Sequence, residues 1–371
     1  MRLANATRII VSFFIVASMA IVPTFGCNIP EEARKLNAVV DLEAIMMAAH
    51  GHTKLEKIAY QRESPAPCTG GMADIFPCQN VDLMAFLPLS SVGGGGGNDN
   101  WGWTDPLDGK EYAIFGRTNG TAFVDISDPA NPIYLGNLPT RASSAPWRDI
   151  KTYANHAFIV ADFAGNHGMQ VFDLTQLRNV ASPPVTFTET AHYDGFSRSH
   201  NIVINTDSGF AYAVGGDETS CNGGLHMIDI RNPIEPTFAG CFSADGYTHD
   251  AQCITYSGPD TAYQGRELCF ASNEDTLTIV DVTDKQSPVQ VARQGYVGSG
   301  FTHQGWLNGD QTRWVHDDER DELNFGHNTK TYVWDVSDID NPFVLDTFIA
   351  DGAAVDHNQY LHNGHAYQAN Y

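Results

Sequence analysis

Histidine recurs in this chain at a nearly constant interval: SHN at His200, THD at His249, THQ at His303 and DHN at His357, spaced by 49, 54 and 54 residues. At the same phase, one interval earlier, stands Arg148, followed by Asp149. Acidic residues recur downstream of these positions, at Asp162, at Asp217 with Glu218, at Glu274 with Asp275, and at Asp317 with Asp318. Imidazole nitrogen and carboxylate oxygen together form a ligand set for a divalent cation. The same pairs have a structural use, in which each histidine bonds the acid of its own repeat and pins two loops. Both readings require the groups to stand on one face of the molecule.

Other chemistries leave no mark. No GxSxG or HExxH occurs, and nothing points to an activated Cys–His pair, which argues against a serine or cysteine nucleophile. The formal net charge is −23, and residues 1–26 hold two arginines and no acid, so their removal makes the balance more negative still. Such a chain lacks the clustered basic residues with which proteins displace counterions from nucleic acid.

The interval of the histidines is also the interval of a phrase: VDISDPANP from Val124, FDLTQLRN from Phe172, IDIRNPIEP from Ile228, VDVTDKQSP from Val280 and WDVSDIDNP from Trp334. Its aspartates, at 125, 173, 229, 281 and 335, are 48, 56, 52 and 54 residues apart. A repeat of this length calls for one supersecondary unit per period. The third unit parses into HNIVIN, FAYAVG, LHMIDI and TFAGCFSA, four short β-rich runs separated by Gly, Asn, Asp and Pro. Four strands per repeat fit the blades of an all-β propeller. In a four-stranded meander the start of the first strand and the turn after the second share a side, which places the histidines and the acidic turns at one mouth of the central channel. The repeated Asp and Pro suit the connecting turn, since an Asp side chain bonds backbone amides there and Pro fixes φ.

PCTGGMADIFPCQNVDL from Pro67, GGLHMIDIRNPIEPTFAGCFSADGYTHDAQC from Gly223 and GRELCFASNEDTLTIVDV from Gly265 resemble the LVIVD-repeat proteins of the choice-of-anchor B group, over about residues 67–371. The resemblance implies an exported protein whose repeats are propeller blades, and it brings no settled activity.

The remaining expectations concern the ends of the chain and its cysteines. Two arginines, a short apolar run from Ile9 and small residues before Cys27 predict a signal peptide over 1–26, with a lipid anchor on Cys27 as the lesser alternative. Residues 27–66 read as a short helical segment, and 67–371 as the propeller. DHNQYLHNGHAYQANY from Asp356 supplies two strands of a sixth blade, so five full blades and a partial one are expected here, and seven in the intact protein. NVDLMAFLPL from Asn80 reads as an outer strand that joins this partial blade, and Gly93–Gly97 as a flexible hinge or loop. Six cysteines besides Cys27 suggest disulfides in an exported chain. Cys68 and Cys78 close a short loop. The other four allow three pairings, of which strand register favours Cys221 with Cys241 and Cys253 with Cys269.

The function expected is therefore a binding or scaffold module, secreted or on the cell surface. Its candidate metal ligands are His200, His249, His303 and His357, with Arg148, Asp149, Asp217, Glu218, Glu274 and Asp317 as ligand-binding neighbours. The alternative is a metal-dependent lyase or hydrolase acting on an extracellular, carbohydrate-like substrate. The partner is an extracellular ligand or protein; no nucleic acid and no membrane span in the mature chain are expected.

Overall fold

The computed structural model describes residues 65–371 apart from 218 and 219. The signal peptide over 1–26 and Glu218 lie outside the described residues, as does all of the helical segment except residues 65 and 66.

From residue 97 onward the chain forms five antiparallel meanders, and each starts from an innermost strand. Blade 1 is built from Gly97–Thr104, Glu111–Arg117, Gly120–Asp125 and Ile133–Pro139, and blade 2 from Trp147–Tyr153, His156–Asp162, Met169–Asp173 and Ala191–Tyr193. Blade 3 comprises Asn201–Asn205, Phe210–Val214, Leu225–Asp229 and Thr237–Phe242, as the third unit of the repeat requires. Blade 4 runs through Asp250–Thr255, Glu267–Asn273, Thr276–Asp281 and Val289–Gly295; blade 5 through Thr302–Leu307, Arg313–Asp318, Lys330–Asp335 and Phe343–Ile349. A hairpin of Asp356–His362 and His365–Asn370 begins a sixth. Successive innermost strands lie side by side, so the fold is an all-β propeller.

The recurring aspartate performs the turn chemistry expected of it. Asp125, Asp173, Asp229, Asp281 and Asp335 each accept the backbone amide two residues on, at 2.9–3.0 Å. In blades 1, 3, 4 and 5 the pairing of the third and outer strands slips by one residue at the same place, beside Phe123, Met227, Ile279 and Val333. Such a bulge bends the outer strand and adds twist. Between blades the facing side chains form separate cores. Ile114, Phe123, Ile159 and Phe172 fill the space between blades 1 and 2, and Phe270, Ile279, Trp314 and Trp334 that between blades 4 and 5. Burial of these apolar faces is the main force holding neighbouring blades together.

Two local expectations are corrected. Residues 79–88 add no strand to the last hairpin: Leu83 makes an isolated bridge to Ala66, and a 3-10 turn follows over Leu89–Val92. The glycine run is not an open hinge, because Gly94 O accepts the guanidinium of the fully buried Arg117 at 2.9 Å and Gly97 already opens the first strand of blade 1. Blade 2 departs from its neighbours where its repeat is longest. The extra chain forms a 3-10 turn at Leu174–Leu177, and Val185–Thr186 then pairs in parallel with the outer strand of blade 1. Among the described residues the disulfides join Cys68 to Cys78, Cys221 to Cys241 and Cys253 to Cys269. The last pair is a register pair of the first hairpin of blade 4. Such bonds belong to oxidising compartments. Among the same residues no helix is long and apolar enough to cross a membrane, which says nothing of a β-barrel.

Candidate functional site

The four histidines stand at or next to the start of successive innermost strands, and their rings form one continuous arc. Ring centroids are 4.5 Å apart for His200 and His249, 4.3 Å for His249 and His303, and 4.3 Å for His303 and His357. Trp147 extends the arc beyond His200 at 5.5 Å, and Tyr371 extends it beyond His357 at 5.7 Å.

The imidazoles are tied down across blades more than within them. His200 Nδ1 lies 3.0 Å from Asp162 Oδ2, on the preceding blade, and His249 Nδ1 donates to the backbone oxygen of His303 at 2.9 Å, on the following one. His303 does use an acid of its own blade, donating from Nδ1 to Asp317 Oδ1 at 2.6 Å. Strict own-blade pairing is therefore not what holds the arc. Burial lowers His200, but the hydrogen bond and charge of Asp162 more than offset it, and its pKa ends raised. His249 and His303 are driven well below the ordinary histidine value by burial and then by the neighbouring imidazoles.

The densest part of the arc gathers around Glu319. Its carboxylate lies 3.9 Å from His303 Nε2 and 3.6 Å from His357 Nε2, and it accepts the Tyr371 hydroxyl at 2.8 Å. Burial pushes Glu319 up to about 7. The arrangement has the form of a metal site with its outer shell in place, because Asp317 fixes the ring of His303 through Nδ1 and aims Nε2 at Glu319. Gln359 Nε2 in turn donates to Asp317 Oδ2 at 3.2 Å.

Several residues singled out in the sequence lie elsewhere. The guanidinium of Arg148 turns between blades 1 and 2, donating to Arg117 O, His167 Nε2 and Thr140 Oγ1 at 3.0, 3.0 and 2.8 Å. Asp149 is a structural link that pairs with Lys151 at 2.6 Å and accepts the amide of Ile202 in blade 3 at 2.7 Å. Asp217 holds its own loop by accepting Ser197 Oγ and the amide of Ser220. Glu274 is exposed, and its backbone oxygen accepts the amide of Thr302. His316 is a core residue whose Nδ1 accepts Trp334 Nε1 at 3.0 Å, and burial lowers it to about 3.

Sequence reasoning missed Glu319 because the run DDERDE from Asp317 reads as a solvated charged loop. In the fold Asp317, Asp318, Glu319 and Asp321 are all at most 1% exposed. The place of Glu319 directly after Asp317 and Asp318, members of the acidic-turn series, was the available signal. Also unforeseen was a series of polar links between innermost strands. Asn98 accepts Arg148 N, Asn201 donates to His249 O, Gln252 accepts Leu307 N and Gln304 accepts Gln359 N, at 2.6–2.9 Å.

These features define a class: a disulfide-bonded β-propeller with an arc of histidines and buried carboxylates where its innermost strands begin. The chain carries an LVIVD repeat, matched over residues 111–140, the second to fourth strands of blade 1. The match is to the repeat itself; the narrower choice-of-anchor B group remains a resemblance. No curated protein matches the chain. Among solved structures it is similar to a functionally unknown protein from Desulfotomaculum acetoxidans, with 12% identity, 72% of this chain and 74% of that chain covered, and a TM-score of 0.48. It is also similar to a protein from Lactobacillus plantarum (11% identity, 73% and 76% covered, TM-score 0.45). A hypothetical selenium-binding protein from Sulfolobus tokodaii is a third (10% identity, 65% and 60% covered, TM-score 0.43).

Proposed function

We propose that the protein is an exported, non-catalytic binding module that holds a divalent cation between His303, Glu319 and His357 and uses it to engage an extracellular ligand or partner. One observation carries the reading: two imidazole Nε2 atoms on adjacent blades converge on one buried carboxylate, at 3.9 and 3.6 Å. With its Nδ1 proton given to Asp317, His303 turns a lone pair toward Glu319. Two acceptors face each other there unless a cation or a proton lies between them. Two imidazoles and one carboxylate form the three-ligand set that leaves a position open for a ligand. The three disulfides support export.

The test is metal analysis of the purified chain by mass spectrometry, followed by calorimetric titration of zinc into chelator-treated protein. A binding component is expected that Glu319→Gln and His357→Gln each weaken at least tenfold, while Asp217→Asn leaves it unchanged. Zinc binding that neither variant alters would overturn the reading. Zinc-loaded protein incubated with uronate-rich polysaccharide is expected to release no unsaturated product; release would favour the lyase.

A further inference from the structure

We propose a second cation site, independent of the channel-mouth reading, in which Asp321, Glu322 and His327 of blade 5 bind a divalent first-row transition ion. One ligand atom from each of Asp321, Glu322 and His327 falls within 4.8 Å of the others. Asp321 is fully buried, and Glu322 is 8% exposed. What sets this cluster apart from ordinary acidic surface is the state of its polar atoms. Asp321 Oδ1, Glu322 Oε2 and His327 Nε2 are buried with no donor bonded to them, and the Asp321 and Glu322 carboxyl groups lie within hydrogen-bonding reach of each other.

A folded protein rarely leaves one such group unsatisfied, and an ionised carboxylate removed from water costs far more than a neutral one. Here three such atoms belong to three side chains whose ligand atoms lie within 4.8 Å of one another. The nearby Lys330 does not resolve the excess. Its Nζ is 3.9 Å from Asp321 Oδ2 and is bonded to the Tyr332 hydroxyl at 2.6 Å. One cation at that distance leaves the second carboxylate uncompensated.

The surrounding bonds orient the ligands as an outer shell does. His327 Nδ1 donates to the backbone oxygen of Asn328 at 2.8 Å, so the Nε2 lone pair faces Asp321 Oδ2, 3.6 Å away. The Tyr332 hydroxyl donates to Asp321 Oδ2 at 2.8 Å, and the amide of Lys330 donates to Glu322 Oε1 at 2.9 Å, each leaving the other oxygen available. An imidazole among carboxylates selects a manganese- or zinc-like ion over calcium, which prefers an all-oxygen shell.

The experiment uses the full chain carrying Glu319→Gln, which removes the carboxylate of the channel-mouth ligand set and keeps the two readings separable. After chelator treatment, this variant is titrated calorimetrically with zinc, manganese and calcium chlorides, and its melting temperature is followed in parallel. We expect one equivalent of zinc or manganese to bind and raise the melting temperature. Adding Glu322→Gln or His327→Gln should weaken that binding at least tenfold and abolish the rise. Glu322→Gln removes a like charge, so without metal it should melt no lower than its parent. Absence of binding in the Glu319→Gln chain would overturn the proposal and would mean that the acids are held protonated. Binding untouched by Glu322→Gln and His327→Gln, or a response to calcium alone, would also overturn it.

Discussion

His167 illustrates how a single buried ring links charge to stability. It is fully buried, donates from Nδ1 to Gly168 O at 2.9 Å and accepts Arg148 Nη1 at 3.0 Å on Nε2. Burial and then the Arg148 charge lower it from 6.5 to about 4. Between those values the unfolded chain binds a proton on this ring that the folded chain does not, so stability falls as pH drops through the window. The whole effect is about 3 kcal/mol. Asp250, which burial raises to about 7, contributes with the opposite sign, because its folded form takes up a proton first as pH falls. A difference measurement isolates the histidine. Urea unfolding at pH 7 and near pH 4.5 is expected to show a smaller loss for His167→Gln than for the parent chain, and equal losses would refute the assignment.

At the scale of the strand, the blades depend on one backbone contact that no repeat phrase announces. Gly240 lies in the outer strand of blade 3, opposite Met227 and beside the bulge; a Cβ built there would stand 1.7 Å from Lys285 O of blade 4. Backbone cannot yield as a flexible side-chain tip does. Gly240→Ala is therefore expected to cost at least the ~1–3 kcal/mol typical of overpacking. Asp125→Ala removes the acceptor of Ser127 N at 2.9 Å in an exposed turn and should cost only about 1 kcal/mol. Urea midpoints of the two variants check the order, and a larger loss for Asp125→Ala would contradict it.

Across the whole molecule, apolar cores shared by neighbouring blades and polar links between innermost strands couple each unit to the next. Ring contacts add to this coupling: Tyr360 of the last hairpin meets Trp306 of blade 5 at 4.9 Å and Trp101 of blade 1 at 5.6 Å. The six tryptophans belong to blades 1, 2 and 5, whereas the strands are spread over every blade. If coupling dominates, tryptophan fluorescence and far-ultraviolet circular dichroism should report one coincident unfolding transition. Separate midpoints would mean that blades 3 and 4 unfold on their own.

The features legible from sequence were those whose physics is local and repeated. The period, the strand parse of the third unit, the Asp-capped turns and the Cys253–Cys269 register follow from alternation, turn chemistry and counting within one hairpin. The phase of His200, His249, His303 and His357 also sufficed to put them in one arc, since equivalent positions of equivalent blades share a face. Their partners were not legible. Whether His200 meets Asp217 of its own blade or Asp162 of the preceding one depends on how neighbouring blades are rotated against each other, which packing between apolar faces decides. The same holds for Arg148, which the interface with blade 1 draws away from the arc, and for Glu319–Glu322, whose polar composition describes a surface loop, whereas Asp317, set among the acidic turns from sequence, bonds His303. The short helix at Asp321–Phe325 and the bond from Tyr371 hold that run in the interior, and only the tertiary structure could place Glu319 beside the histidines.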